Sequence, residues 1–125
     1  MVRRDSYIPG RGEVVWIQLS PQAGHEQAGR RPAVVLSPRA YNARVGLALF
    51  SPITNQIKGY PFEVLIPKGL PVSGAVLSDQ VRSMDWRTRN VEFVCALPRA
   101  TIEEILGKLQ TLVKGRAFGS PLARG

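Results

Sequence analysis

Apolar and polar positions fall in short alternating runs along most of this 125-residue chain, and a helical period emerges only near its C-terminal end. Glu13 to Leu19, β-branched and aromatic after the Pro9-Gly10 turn, predicts a first strand with Val15, Ile17 and Leu19 on one face. Ser20 to Arg30 reads as a polar loop with two glycines, Ala33 to Leu36 as a short buried strand, and Pro38 to Asn42 as a turn or brief helical excursion. Leu47 to Ser51 is a third apolar run. The loop from Pro52 to Pro61 then leads into a strand over Phe62 to Ile66. Beyond a turn region at Pro67 to Gly74, Ala75 to Leu77 predicts a short strand entering Ser78-Asp79-Gln80. Val81 to Asp85 follows, then a basic run, Arg87-Thr88-Arg89, expected to be exposed, and Asn90 to Ala96 alternates as a strand does.

Thr101 with Glu104 has the spacing of a capping box, and Ile102, Ile105, Leu106, Leu109, Leu112 and Val113 recur at helical intervals. Their stripe predicts one amphipathic helix lying across the sheet. Five to seven short strands with one terminal helix give a mainly β (α+β) fold, expected to be a small, strongly bent antiparallel β-barrel because closure removes exposed edges. The length suits a single core, so one domain is expected over residues 1–113, with a mobile tail over 114–125 where Gly, Ser and Pro outnumber apolar residues.

Charge narrows the partners. Seventeen Lys and Arg against nine Asp and Glu leave a formal charge of +8, which favours polyanions through phosphate neutralisation and counterion release. A single cysteine, Cys95, excludes an intramolecular disulfide, and a single histidine, His25, leaves no ligand cluster for zinc. No metal and no nucleotide cofactor is expected, since Gly10-Arg11-Gly12 is only a fragment of a phosphate loop and precedes a strand. With no signal-like apolar run and no membrane-length segment, a cytoplasmic protein without a membrane role is the expectation.

Candidate chemistry concentrates where Glu26-Gln27-Ala28-Gly29-Arg30-Arg31-Pro32 delivers a carboxylate and two guanidinium groups into an apolar strand. Pro32 pushes Arg31 toward extended backbone, presenting it from a scaffold edge. Cutting RNA without a metal requires activating a 2′-hydroxyl, stabilising charge at phosphorus and protonating the leaving 5′-oxygen. Arg31 suits charge stabilisation because its fork grips two phosphate oxygens; the other reading pairs it with a surface carboxylate. Thr54 either positions the attacking group or bonds its own backbone in a turn. Glu26 either accepts the 2′-proton or holds Arg31. His25 is either a general acid or an ordinary solvated loop residue. Gln27, Arg30, Asn55, Gln56 and Lys58 supply donors for substrate, with a plain solvated role as the alternative for Lys58. Asp79 and Gln80 suit base edges or a turn. Both tryptophans could stack on bases; Trp86 in the basic run is the favoured stacking ring, while core or rim packing is the favoured role of Trp16 in its strand; Tyr60 is open to either role.

The chain resembles the MazF/PemK family of toxin endoribonucleases from about Tyr7 to Val113. The likeness rests on Gly12-Glu13-Val14-Val15-Trp16, Glu26 through Pro38, Tyr41-Asn42, Lys58-Gly59-Tyr60-Pro61-Phe62-Glu63-Val64 and Ser78-Asp79-Gln80-Val81. It implies an SH3-like barrel with a C-terminal helix, a homodimer, and sequence-specific, metal-independent cutting of single-stranded RNA such as mRNA, leaving 2′,3′-cyclic phosphate and 5′-hydroxyl ends and arresting translation. It further implies a cognate antitoxin, with operator DNA bound only through the antitoxin complex. By resemblance Arg31 and Thr54 are catalytic and Glu26 is associated with activity. In the PemK-type branch an Arg and an Asp ahead of a Gln act as acid and base; here Asp79 is present but Leu77 stands where that arginine would be, so Arg31 with Thr54 is the favoured pair. Two rival classes are a non-catalytic nucleic-acid-binding SH3-like module and a protein-interaction module that docks through the Ile102 to Val113 helix.

Overall fold

Strand-forming runs pair antiparallel from the start of the chain. The computed structural model describes residues 7–19 and 29–114. Its elements in order are β1 (Glu13–Gln18), β2 (Arg30–Val35), α1 (Arg39–Val45), β3 (Leu47–Thr54), β4 (Glu63–Leu65), β5 (Ala75–Leu77), β6 (Arg82–Asp85), β7 (Glu92–Ala96) and α2 (Arg99–Val113). The strands follow the path β4-β5-β3-β2-β1-β7, with β6 paired to β3 beside it. No pairing joins the ends of this path among the described residues, so the mainly β architecture with two helices is an open antiparallel sheet.

Period-two alternation explains how one sheet serves two cores. Val14, Val34 and Ile53 enter a cluster with Val64, Val76 and Ile105, against which α2 lies, while Val15, Ile17, Ala33, Val35 and Phe50 pack on the other side with Met84 and Trp86. Val15, Ile17 and Leu19 thus share a face as their spacing predicts. Each fully buried Val, Ile or Phe contributes roughly 1.5–3 kcal/mol, so both faces hold β2 and β3 rigidly.

Several elements differ from the sequence expectation, each for a local reason. The turn at Pro38 to Asn42 is the start of a seven-residue helix, closed by Gly46 in the left-handed region at φ 83°. Asn42 is the reason it forms: fully buried, it donates to the Pro9 and Ser37 carbonyls at 2.7 and 3.1 Å and accepts from the Ser37 hydroxyl at 2.6 Å. Helix α2 begins at Arg99 behind Pro98, so the expected Thr101–Glu104 capping box is absent; Thr101 is instead buried within the first turn. The stripe packs as far as Leu109, whereas Leu112 and Val113 are exposed.

Trp86 requires a correction of more consequence. Expected to stack on bases, it is 7% exposed, packs in the second core and donates from Nε1 to the Asn42 carbonyl at 3.1 Å. The basic run around it is also largely structural. Arg87 covers the Trp86 ring at 5.0 Å and donates to Ala43, and Arg89 donates to the Gln18 carbonyl at 2.9 Å. The proposed tail beyond Lys114 lies outside the described residues.

Candidate active site

Strands β2 and β3 run further than their apolar cores require, and that extension builds the site. β2 begins at Arg30, because Gln18 and Ile17 of β1 pair with Arg30 and Arg31. β3 continues to Thr54, because Ile53 and Thr54 pair with Val76 and Ala75 of β5. The β2–β3 ladder itself ends at the Ala33–Pro52 pair, and beyond it Arg31 stays paired to β1 and Thr54 to β5. Two residues expected near loops therefore sit on ladders, where packing fixes their backbones.

Gly74 makes the β3–β5 approach possible. Its φ is 115°, and a Cβ there would meet the Thr54 carbonyl at 2.2 Å, so only glycine fits. The Thr54 Oγ1 accepts from the Gln56 N–H at 3.0 Å, the local turn weighed for this hydroxyl. That bond uses a lone pair and leaves the O–H proton to donate.

Arg31 and Thr54 border one cleft of about 500 Å³, together with Trp16, Arg30, Asn55 and Gln56. Pro71, Val72 and Ser73 wall its far side. A smaller depression of about 120 Å³ adjoins it, sharing Thr54 and Gln56 and adding Lys58, Tyr60, Glu63 and Gln80. Asp79 is exposed beside Gln80, outside both groups of lining residues.

The two arginines fare differently. Arg30 donates to the Asn90 carbonyl at 2.9 Å and to the Glu92 carboxylate at 2.5 Å, which locks it against β7. Arg31 is exposed; among the described residues it donates to its neighbour's carbonyl, Arg30 O, at 3.0 Å, and no carboxylate pairs with it. A guanidinium in that state keeps its bidentate face for an incoming anion. His25, Glu26 and Gln27 lie outside the described residues.

Sequence reasoning ranked Trp16 behind Trp86 as a stacking ring and missed the Pro71–Ser73 wall of the cleft. Trp16 is 41% exposed beside Pro32, its ladder partner. Its signal was available, since it alternates with Val15 and Ile17, both fully buried. The wall carried no such mark, being apolar and turn-forming like many connections.

Comparison with known proteins bears on this arrangement. Residues 10–113 match the family described as PemK-like, MazF-like toxin of type II toxin-antitoxin system. The endoribonuclease toxin MazF of Escherichia coli (strain K12) is 42% identical over 107 residues, covering 86% of this chain and 96% of that protein. The crystal structure of MazF (Form-I) from Deinococcus radiodurans has a TM-score of 0.78 at 52% identity, covering 86% of this chain and 97% of that one. The MazE-MazF structure (Form-III) from the same organism gives a TM-score of 0.79 at 50% identity, with coverage of 86% and 97%. A family match across both ladders and the helix, joined to relatives that align nearly end to end, means that this chain belongs to the MazF/PemK family of toxin endoribonucleases from type II toxin–antitoxin systems.

Proposed function

We propose that this toxin endoribonuclease cuts single-stranded RNA, mRNA included, at short sequences and without a metal, using Arg31 and Thr54. The 2′-oxygen forms a bond to phosphorus as the P–O5′ bond breaks; the 2′-proton leaves and the 5′-oxygen gains a proton. The products are a 2′,3′-cyclic phosphate and a 5′-hydroxyl. Arg31 stabilises charge on the phosphorane oxygens, Thr54 donates to one of them or orients the 2′-hydroxyl, and Glu26 receives the 2′-proton or steadies Arg31. Trp16 offers a face for a flanking base. Gln56, Lys58 and Gln80 serve base and phosphate recognition in the smaller depression, His25, Gln27 and Asn55 contact the strand, Arg30 shapes the cleft from its tether, and Asp79 contacts substrate from the rim.

The observation that carries this reading is the shared cleft of Arg31 and Thr54, with that arginine free of carboxylates among the described residues. The wider reading is a homodimer with an SH3-like barrel in each subunit, working in the cytoplasm. A cognate antitoxin, the counterpart of MazE in the Deinococcus radiodurans complex, neutralises it and alone brings it to operator DNA. Among the described residues no helix is long and apolar enough to cross a membrane.

A labelled, unstructured transcript separates the classes. Discrete fragments with 5′-hydroxyl ends are expected; a mobility shift without cleavage would make the chain a binding module instead.

A further inference from the structure

Beside the cleft, the connection between β3 and β4 is closed by a carboxylate that none of the roles above uses. Glu63, the first residue of β4, accepts from the Lys58 N–H at 3.2 Å to each oxygen and from the Gly59 N–H at 2.9 Å. Two successive backbone N–H groups, the second on a residue at φ 79°, form an anion-holding concavity. The chain fills that concavity from within. The Glu63 N–H also donates to the Tyr60 carbonyl at 3.1 Å, and Lys108 of α2 donates to the Pro61 carbonyl at 2.5 Å.

The side chains of this connection remain outside its tether. Gln56, Lys58 and Tyr60 are exposed, with the Lys58 ammonium 5.9 Å from the centre of the Tyr60 ring. All three line the depression that shares Thr54 with the main cleft, and Glu63 lines it as well. Without the carboxylate, the seven consecutive exposed residues 55–61 would keep the bonds at Gln56, Tyr60 and Pro61 but lose the two that hold the Lys58–Gly59 backbone between them.

We infer that Glu63 is a positioning residue for RNA selection: by holding the Lys58 and Gly59 N–H groups it fixes Gln56, Lys58 and Tyr60 over the depression next to Thr54, where a nucleotide flanking the scissile bond is read. The inference rests on the RNA-cleaving reading above and adds to it which residue makes the flanking subsite rigid. Glu63 takes no part in bond making; its effect lies in binding and in site choice.

The test compares the full chain with Glu63→Ala, Glu63→Gln and Gly59→Ala on one labelled transcript, with fragment ends mapped and KM and kcat measured on a short oligonucleotide containing the parent's preferred site. A Cβ at Gly59 meets nothing within 4 Å, so Gly59→Ala strains the concavity's backbone without a clash. Glu63→Ala is expected to raise KM by roughly tenfold, with kcat changed less than about threefold, and to spread cleavage to new sites; Glu63→Gln, which keeps one acceptor, falls between it and the parent. Gly59→Ala is expected to reproduce the broadened pattern, and combining it with Glu63→Ala should add little because both break one device. Parent-like KM and fragment ends in Glu63→Ala would overturn the inference, as would a collapse of kcat at unchanged KM. Should Glu63→Ala fail to fold, Gly59→Ala decides by the same two readouts. Absence of cleavage by the parent would instead overturn the RNA-cleaving reading itself.

Discussion

The cleft rim at Arg31 and the N-terminal corner at Arg39 use the same side chain for opposite ends. At the corner, Arg39 donates to the Ile8 carbonyl and to both oxygens of Glu13, the shorter contact at 2.5 Å. Glu13 is completed by the Tyr7 hydroxyl at 2.6 Å and the Gly10 N–H at 3.0 Å. Burial alone would raise the Glu13 carboxyl, but the bonds from Arg39, Tyr7 and Gly10 outweigh it and hold it below its ordinary value; burial and the same hydrogen bond push the Tyr7 hydroxyl up. Every charge there is answered within the fold. At the rim, Arg31 meets one backbone carbonyl and no carboxylate among the described residues, and it borders the open cleft. Both arginines are exposed, so accessibility does not separate them; the difference, among the described residues, is that a carboxylate meets Arg39 and none meets Arg31.

Exchanging losses between the two regions is the strongest way to break that comparison. Arg31→Ala is expected to lower cleavage by about 10²–10³-fold while changing folding stability by less than about 0.5 kcal/mol. Arg39→Ala is expected to do the reverse, cutting RNA within about twofold of the parent while losing about 1–3 kcal/mol of stability. Single-turnover cleavage and urea unfolding on both variants check this; equal activity losses would erase the contrast. Acid gives a second readout of the corner. Because the folded Glu13 pKa is depressed, its stabilisation is present above the ordinary value of 4.5 and disappears as pH falls through the lower folded value. Glu13→Gln should therefore be less stable at neutral pH and lose less on acidification than the parent.

The two tryptophans sharpen the same lesson with smaller effects. Trp16→Ala is expected to weaken RNA binding by about 1–3 kcal/mol, read as a raised KM at unchanged stability. Trp86→Phe, which loses the bond to Asn42 and puts a smaller ring in the core beneath Arg87, is expected to cost about 1–3 kcal/mol of folding free energy with KM unchanged. A raised KM in Trp86→Phe with Trp16→Ala silent would restore the sequence expectation that the ring in the basic run reads bases.

That inversion shows where the sequence was readable. Strand positions followed from β-branched alternation, and Arg31 and Thr54 emerged because Pro32 and the polar run after Thr54 mark a rigid edge beside hydrogen-bonding groups. What failed depended on distant partners. Nothing near Trp86 in sequence announces Asn42, 44 positions away, whose carbonyl receives its N–H. Arg87 and Arg89 read as a basic surface run because the carbonyls they satisfy, at Ala43 and Gln18, lie 44 and 71 positions away. Thr101 and Glu104 matched a capping pattern, but Pro98 had already set the helix start three residues earlier. The site's second wall, Pro71 to Ser73, came into view only once β5 brought Gly74 against Thr54.

The smallest expected effect is none at all, and it tests the chemistry assigned to the rim. If Arg31 supplies the positive charge that phosphoryl transfer needs, cleavage should proceed at the parent rate in excess EDTA. The donor set favours this: the chain has one histidine and one cysteine, and burial pushes the Cys95 thiol up, away from the thiolate a soft metal binds. Among the described residues no three of His, Cys, Asp and Glu gather as a metal-holding group. Phosphates carry hard cations such as Mg²⁺ into a site with only one or two protein carboxylates, so the decisive arm adds Mg²⁺ or Mn²⁺ back after chelation. Cutting that stops in EDTA and returns with the cation would move the charge-stabilising role from Arg31 to a metal, and Arg31→Ala should then retain much of its rate.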